Sequence, residues 1–249
     1  MNELFQALRL KHVEGGLPDL LEQARKTTLT YEAFLRQVLT LEIEGRQRQA
    51  ELSRLKAARL PVRKTLDEFD FSFQPSLSER HLRELADLSF LQTATNVVFL
   101  GPPGVGKTHL SIGLAVCALE AGYSVLFTQL SHLAEDLSSA PHPSVFRQRL
   151  RRYLRPRLLI IDEVGYTKLT EDQAQHLFAL VRDRYEQGSI ILTSNTSFAE
   201  WGALLHNEVL ATALLDRLLH HAEVITINGK SYRMKDRLAA SKSGGGERS

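Results

Sequence analysis

The run Asn96-Val97-Val98-Phe99-Leu100-Gly101-Pro102-Pro103-Gly104-Val105-Gly106-Lys107-Thr108 passes from apolar strand-forming residues through a glycine-rich turn into a helix. Its second part satisfies the Gly-x-x-x-x-Gly-Lys-Thr pattern, with a strand entering and a helix leaving as that pattern requires. Glycines let backbone N–H groups turn inward around phosphate oxygens, with no Cβ in the way. Lys107 is placed to reach the β and γ phosphates of a nucleotide, and Thr108 to offer its hydroxyl to Mg²⁺. The dipole of the following helix favours the same anion. The segment from Gly101 through Pro102, Pro103, Gly104, Val105, Gly106, Lys107 and Thr108 is therefore the expected ATP-binding loop.

Working outward, strands alternate with helices. Asn96–Leu100, Tyr123–Gln129, Arg157–Asp162, Ser189–Ser194 and Glu223–Ile227 are short runs rich in Val, Ile, Leu and Phe, as strands buried on both faces are. Helices are expected from Thr108, near Ser131, and from Thr170 and Ser197. Thr170-x-x-Gln173 and Ser197-x-x-Glu200 are capping-box patterns, and Gly122 and Gly188 stand where helix C-caps belong. Such alternation predicts an α/β fold, a parallel sheet flanked by helices.

Leu158-Leu159-Ile160-Ile161-Asp162-Glu163 puts two acids at the carboxyl end of a buried strand, where open α/β sheets bind ligands. Asp162 is the expected Mg²⁺ holder, with Thr108. Glu163 is placed to polarise a water attacking the γ-phosphate, which favours hydrolysis over transfer to a second substrate. Asn195 follows the strand Ser189–Ser194 and either orients that water or merely starts a loop. Arg217, late in an amphipathic helix, reads as a surface ion pair or as an arginine finger reaching a neighbouring subunit's nucleotide. Arg233, after the last strand, has a similar choice within its own subunit.

Residues 1–64 read as a basic, all-helical N-terminal domain. Short helices are separated by a break at Gly15-Gly16 and Pro18, and a longer helix runs from Thr30 to about Arg59, with Pro61 stopping it. Arg46, Arg48, Arg54, Lys56 and Arg59 lie in its second half with few paired acids, which favours an external anion. A second cluster, Arg147, Arg149, Arg151, Arg152, Arg155 and Arg157, contains no acid. On a helix Arg147, Arg151 and Arg155 form one ridge suited to phosphate, or to acids on a neighbouring subunit. Leu66–Gln74 reads as a linker or edge segment, and Leu77–Leu91 as a helix. The core domain is expected over 65–240, with a glycine-rich disordered tail over 241–249.

The formal net charge of the 249-residue chain is only +2, so its partners must be sought in local patches. Its single cysteine, Cys117, precludes an internal disulfide framework and suits a reducing cytoplasm. The amino terminus lacks the signature of a signal peptide, and no apolar run suffices to span a membrane. Cytoplasmic localisation without membrane association is the expectation.

GPPGVGKTHL, LLIIDEVGY, ILTSN, LLDRLLHHA and GKSYR, in this order, resemble the IstB-type transposition helper ATPases of bacterial insertion sequences, relatives of DnaC-type helicase loaders. The match is dense over residues 66–238. The resemblance implies an AAA+ P-loop NTPase core with the strand order of that class. It implies that Lys107 and Thr108 belong to Walker A, Asp162 and Glu163 to Walker B, and Asn195 to sensor 1, that Arg217 is the arginine finger, and that Arg233 sits at sensor 2. It further implies a homo-oligomer on duplex DNA with ATP at subunit interfaces, aiding a partner transposase in target selection. The alternative is a DnaC-like loader gripping single-stranded DNA. A nucleotide-cemented scaffold and a small-molecule kinase are weaker rivals.

Overall fold

The computed structural model describes residues 2–27 and 29–232. Arg233 and the 241–249 tail lie outside them. The chain divides into two compact units, Met1–Lys56 and Ala57–Ser249.

In the first unit α1 (Asn2–Ala7) and α2 (Lys11–Lys26) precede α3 (Tyr31–Ala58). The expected break at Gly15-Gly16 and Pro18 does not occur, since all three residues lie inside α2. Tertiary packing overrides propensity here: a Cβ on Gly16 would meet Leu41 Cδ2 at 2.6 Å, so the glycine lets α2 approach α3. Glu42 of α3 ties the two together. Its Oε2 accepts from the His12 and Val13 amides at 2.9 and 3.1 Å, at the start of α2 where N–H groups lack helical partners. Arg46 Nε donates to its Oε1 at 2.7 Å, and Arg46 Nη2 to Arg9 O. Burial pushes the Glu42 carboxyl up, but these hydrogen bonds together outweigh it and hold it below the usual range.

The second unit is a three-layer sandwich. Five parallel strands, β1 (Asn96–Leu100), β2 (Val125–Gln129), β3 (Leu158–Val164), β4 (Ser189–Ser194) and β5 (Ala222–Thr226), stand in the order β2-β3-β4-β1-β5. β4 therefore separates β1 from β3, as the resemblance implied. The two-residue side-chain period sends alternate residues to two cores. Val97, Phe99, Leu158, Ile160 and Ile191 join one, with α6 (Lys107–Glu120) and the preceding α4 (Glu79–Ala86) and α5 (Ser89–Gln92). Val98, Leu159, Ile161, Ile190 and Leu192 join the other, under α7 (Leu130–Ser138), α8 (Pro143–Leu154), α9 (Glu171–Arg184), α10 (Trp201–Leu205) and α11 (Glu208–Leu219). α6 is buried nearly all round, so its Leu110, Ile112 and Leu114 each contribute about 1.5–3 kcal/mol.

Local signals hold in part. The Thr170 box is complete: Gln173 N donates to Thr170 Oγ1 at 3.3 Å and Thr170 N to Gln173 Oε1 at 3.0 Å. Ser197 N donates to Glu200 Oε2 at 2.8 Å, although a 3₁₀ turn, Phe198–Glu200, begins there before α10. Gly122 follows α6 at φ +89°, as a C-cap should. Gly188 does not cap α9, which ends at Arg184. It is needed for room, since a Cβ would meet Arg184 Nη2 at 2.7 Å. Arg184 is buried and bonds the carbonyls of Tyr153, Leu154, Pro156, Arg157 and Ser189. Burial and then the Arg157 charge push its pKa down to about 10, which leaves it protonated at neutral pH. The helix expected over Leu77–Leu91 is two helices, broken where Leu88 adopts φ +62°. Cys117 is half-buried against the core, and burial raises its thiol pKa. Among the described residues no helix is long and apolar enough to cross a membrane.

Candidate nucleotide-binding site

β1 ends at Leu100 and α6 begins at Lys107, so residues 101–106 make the turn between a buried strand and a buried helix. Gly106 caps that helix at φ +101°, and a Cβ there would meet Phe69 Cε2 at 2.5 Å. Only glycine meets both demands. The Lys107 ammonium lies within the turn, donating to Gly101 O at 2.7 Å and Pro102 O at 2.8 Å. The amino end of α6 adds its partial positive charge.

β3 supplies the acids through a bulge. Ile161 pairs with Leu192 but Val164 with Ser194, so β3 carries one extra residue at Asp162-Glu163. Glu163 adopts φ +62°, rare for a residue with a side chain. The bulge breaks the strict alternation of sides, an effect common beside functional sites. Asp162 is 2% exposed, and Thr108 Oγ1 donates to its Oδ1 and Oδ2 at 2.9 and 3.1 Å. Glu163 is exposed and lines the cavity in front of the turn.

Thr193 on β4 organises this pair. Its Oγ1 donates to Asp162 Oδ1 at 2.5 Å and accepts from the Glu163 amide at 3.0 Å. Two residues on, Asn195 reaches the same cavity, its backbone N–H bonded to Val164 O at 3.1 Å. Among the described residues, the hydrogen-bond donors to Asp162 are neutral hydroxyls. A buried carboxylate so partnered, in an all-oxygen setting with Thr108, fits a hard divalent cation such as Mg²⁺.

The cavity measures about 600 Å³. Its far wall comes from the segment expected to be a linker. Phe69 packs on Gly106 and stands edge-on to His109, with ring centroids 5.3 Å apart. His109 Nε2 donates to Thr65 O over 2.8 Å, and burial lowers its pKa. Gln74 Nε2 donates to Lys230 O at 2.9 Å, and Tyr232 N to Gly104 O at 2.8 Å. The chain after β5 thus returns across the turn immediately before Arg233. Sequence reasoning missed Thr193, Phe69 and Gln74 as site residues. The aromatic alternation of Leu66–Gln74 was the available signal.

Arg217 is not brought to this cavity. Its Nη1 donates to Ala213 O at 2.9 Å, its guanidinium lies 5.2 Å from the Phe178 ring centroid, and it lines a small hollow with Ala94 and Asn96. That hollow is at the amino end of β1. A strand of five residues, with four rises of ~3.3 Å, puts the two ends roughly 13 Å apart.

The arginine cluster divides. Arg149 and Arg152 both bind Asp136, and Arg157 binds the carbonyls of Leu91, Gln92 and Gln187. Arg147, Arg151 and Arg155 remain exposed, and their side chains have no hydrogen-bonding or ionic partner among the described residues. In the first unit Arg46 is neutralised by Glu42, whereas Arg48 and Lys56 are exposed.

Residues 3–240 match the family model described as IstB-like ATP binding protein. The chain is 46% identical over 237 residues to the ATP-binding protein of insertion sequence IS21 from Pseudomonas aeruginosa, covering 95% of this chain and 89% of the relative. It is 44% identical over 237 residues to that of insertion sequence IS5376 from Geobacillus stearothermophilus, covering 95% and 94%. Among solved structures, AMPPCP-bound DnaA from Aquifex aeolicus superposes with a TM-score of 0.56 at 21% identity, over 77% of this chain and 58% of that longer one. A DNA replication initiation factor gives 0.58 at 20% identity, over 75% and 56%. These last two likenesses are of fold alone, a parallel sheet flanked by helices with a glycine-rich turn after its first strand. With its sequence matched over nearly its whole length and its sheet ordered as that fold requires, the chain belongs to the IstB-like ATP binding protein family.

Proposed function

We propose that this protein binds ATP with Mg²⁺ in the cavity at the head of α6 and hydrolyses it, as part of a DNA-bound oligomer serving insertion-sequence transposition. The observation that carries the reading is the Thr108–Asp162–Thr193–Glu163 array beside the glycine-rich turn. It gives the two carboxylates separate tasks. Asp162, buried and bonded to Thr108, holds the cation, which when bound neutralises phosphate charge. Glu163, exposed at the bulge, takes a proton from the attacking water, and Asn195 orients that water. Lys107 exchanges its loop carbonyls for phosphate oxygens. The backbone amides of Gly101–Thr108 supply the remaining donors.

Arg217 lies too far from its own cavity to take part there. Its position supports donation in trans, the arginine of one subunit completing the cavity of the next. The return of the chain at Tyr232 supports a role in cis for Arg233.

The exposed ridge Arg147, Arg151 and Arg155 supports phosphate contact. In the 1–64 region Arg48, Arg54, Lys56 and Arg59 support the same or partner contact, Arg46 being already paired. The core is taken as 65–240. Relatives named for insertion sequences favour a transposase partner over a replicative helicase, for which the likeness is of fold alone. The setting is the cytoplasm. The test is binding to duplex and single-stranded DNA of equal length across a salt series, with and without Mg-ATP. ATP-stimulated preference for duplex is the expected outcome. Preference for single strands would favour a loader.

A further inference from the structure

At the opposite end of the sheet from the nucleotide cavity, the loop after α9 meets the end of α11. Glu186, His220 and His221 converge there: one ring nitrogen of each histidine and one carboxylate oxygen all lie within 4.8 Å of one another. We propose that these three side chains form a surface site for a borderline transition-metal ion, Zn²⁺ or Co²⁺, with water completing the coordination.

The backbone is already set for it. His220 terminates α11 and its amide bonds Asp216 O at 3.0 Å, so both histidines project from an anchored helix end. Glu186 is held at φ +57° in a tight loop whose following amides, of Gln187 and Gly188, bond Arg184 O. Glu186 Oε1 and His221 Nε2 are 3.7 Å apart. Ligands at 2.0–2.2 Å in a tetrahedral shell stand roughly 3.3 Å from each other, so closing the shell requires only rotation of exposed side chains. Tyr185 Oη lies 2.7 Å from His220 Nδ1. With Nε2 of His220 as the ligand, that hydroxyl on Nδ1 would fix the orientation of the metal-bound imidazole.

The donor set selects the class of ion. Two imidazoles and one carboxylate suit Zn²⁺ and its spectroscopic substitute Co²⁺, whereas Mg²⁺ prefers oxygen alone. Arg217, lining the same hollow, opposes the ion, while Asp216, close enough to act on Tyr185, favours it. The site lies one helical turn from Arg217, so an ion would fix the helix end that carries that residue.

The test uses the full chain without a histidine tag, titrated with Co²⁺ in excess Mg²⁺, which keeps the oxygen site at Asp162 out of the readout. The expected result is one equivalent per chain giving the visible absorption of low-coordinate Co²⁺, displaced by Zn²⁺. Glu186→Gln and the double variant His220→Ala/His221→Ala should each weaken binding at least about tenfold. Both alter exposed side chains, and circular dichroism checks that the fold persists. Absence of a saturable band in the parent, or a titration of the double variant superimposable on the parent, overturns the site. Neither result depends on whether the protein hydrolyses ATP.

Discussion

The Thr193 hydroxyl stands 2.5 Å from Asp162 Oδ1 while accepting the Glu163 amide at 3.0 Å, so one side chain on β4 fixes both acids of β3. It holds the carboxylate of one and the backbone of the other across the bulge. Thr193→Val keeps the shape and removes the hydroxyl. Steady-state kinetics should show kcat lowered by about 10–100-fold, as a lost positioning hydrogen bond of roughly 1.5–3 kcal/mol gives. KM for ATP should change little, and Thr193→Ser should restore most of the rate. Equal loss in the Val and Ser variants would count against the role.

Arg217 and Lys107 lie at opposite ends of the sheet, which makes a mixing experiment decisive for action between subunits. Arg217→Ala and Lys107→Ala proteins should each be nearly inactive alone. Mixed, they should recover a substantial fraction of parental ATPase, because some interfaces then pair an intact arginine with an intact turn. A mixture no more active than its components would place Arg217 elsewhere.

The exposed ridge of α8 makes a separable prediction. Replacing Arg147, Arg151 and Arg155 by Ala should weaken DNA binding across sequences. It should also reduce the slope of log K against log salt by up to about three, near one for each phosphate no longer neutralised. Replacing Arg149 and Arg152, which are committed to Asp136, should instead lower thermal stability. An unchanged salt slope in the triple variant would remove the ridge from the interface.

Glu42 links the first unit to pH. Its folded pKa is depressed, because hydrogen bonds from Arg46, Val13 and His12 outweigh the opposing effect of burial. Its contribution is therefore complete above the ordinary carboxyl value near 4.5 and is lost as pH falls through the lower folded value. Hydrogen exchange at the His12 and Val13 amides should accelerate over that acid range beyond the intrinsic pH dependence. Glu42→Gln should abolish that extra dependence and weaken protection at neutral pH.

Much of the core was legible because its signals are local. The strand–turn–helix at Asn96–Thr108 dictates its own geometry, and the five apolar runs fall in the sheet within two residues of their expected bounds. What was not legible depends on tertiary approach. Gly16 and Pro18 look like a break until Leu41 is seen against the helix. Leu66–Gln74 looks like a linker until Phe69 is seen on Gly106. Of six clustered arginines, sequence cannot say that Asp136 claims two, nor that backbone carbonyls claim Arg157. Thr193 sits in an apolar strand, and only the register of β3 on β4 shows what its hydroxyl does.

The division of labour between Asp162 and Glu163 is tested most directly by rapid mixing of pre-bound ATP with Mg²⁺ in the parent and in Glu163→Gln. The two should bind nucleotide within about threefold of each other, while the single-turnover hydrolysis rate of the variant falls by roughly 10²–10⁴. Hydrolysis at the parental rate in Glu163→Gln would contradict the assignment.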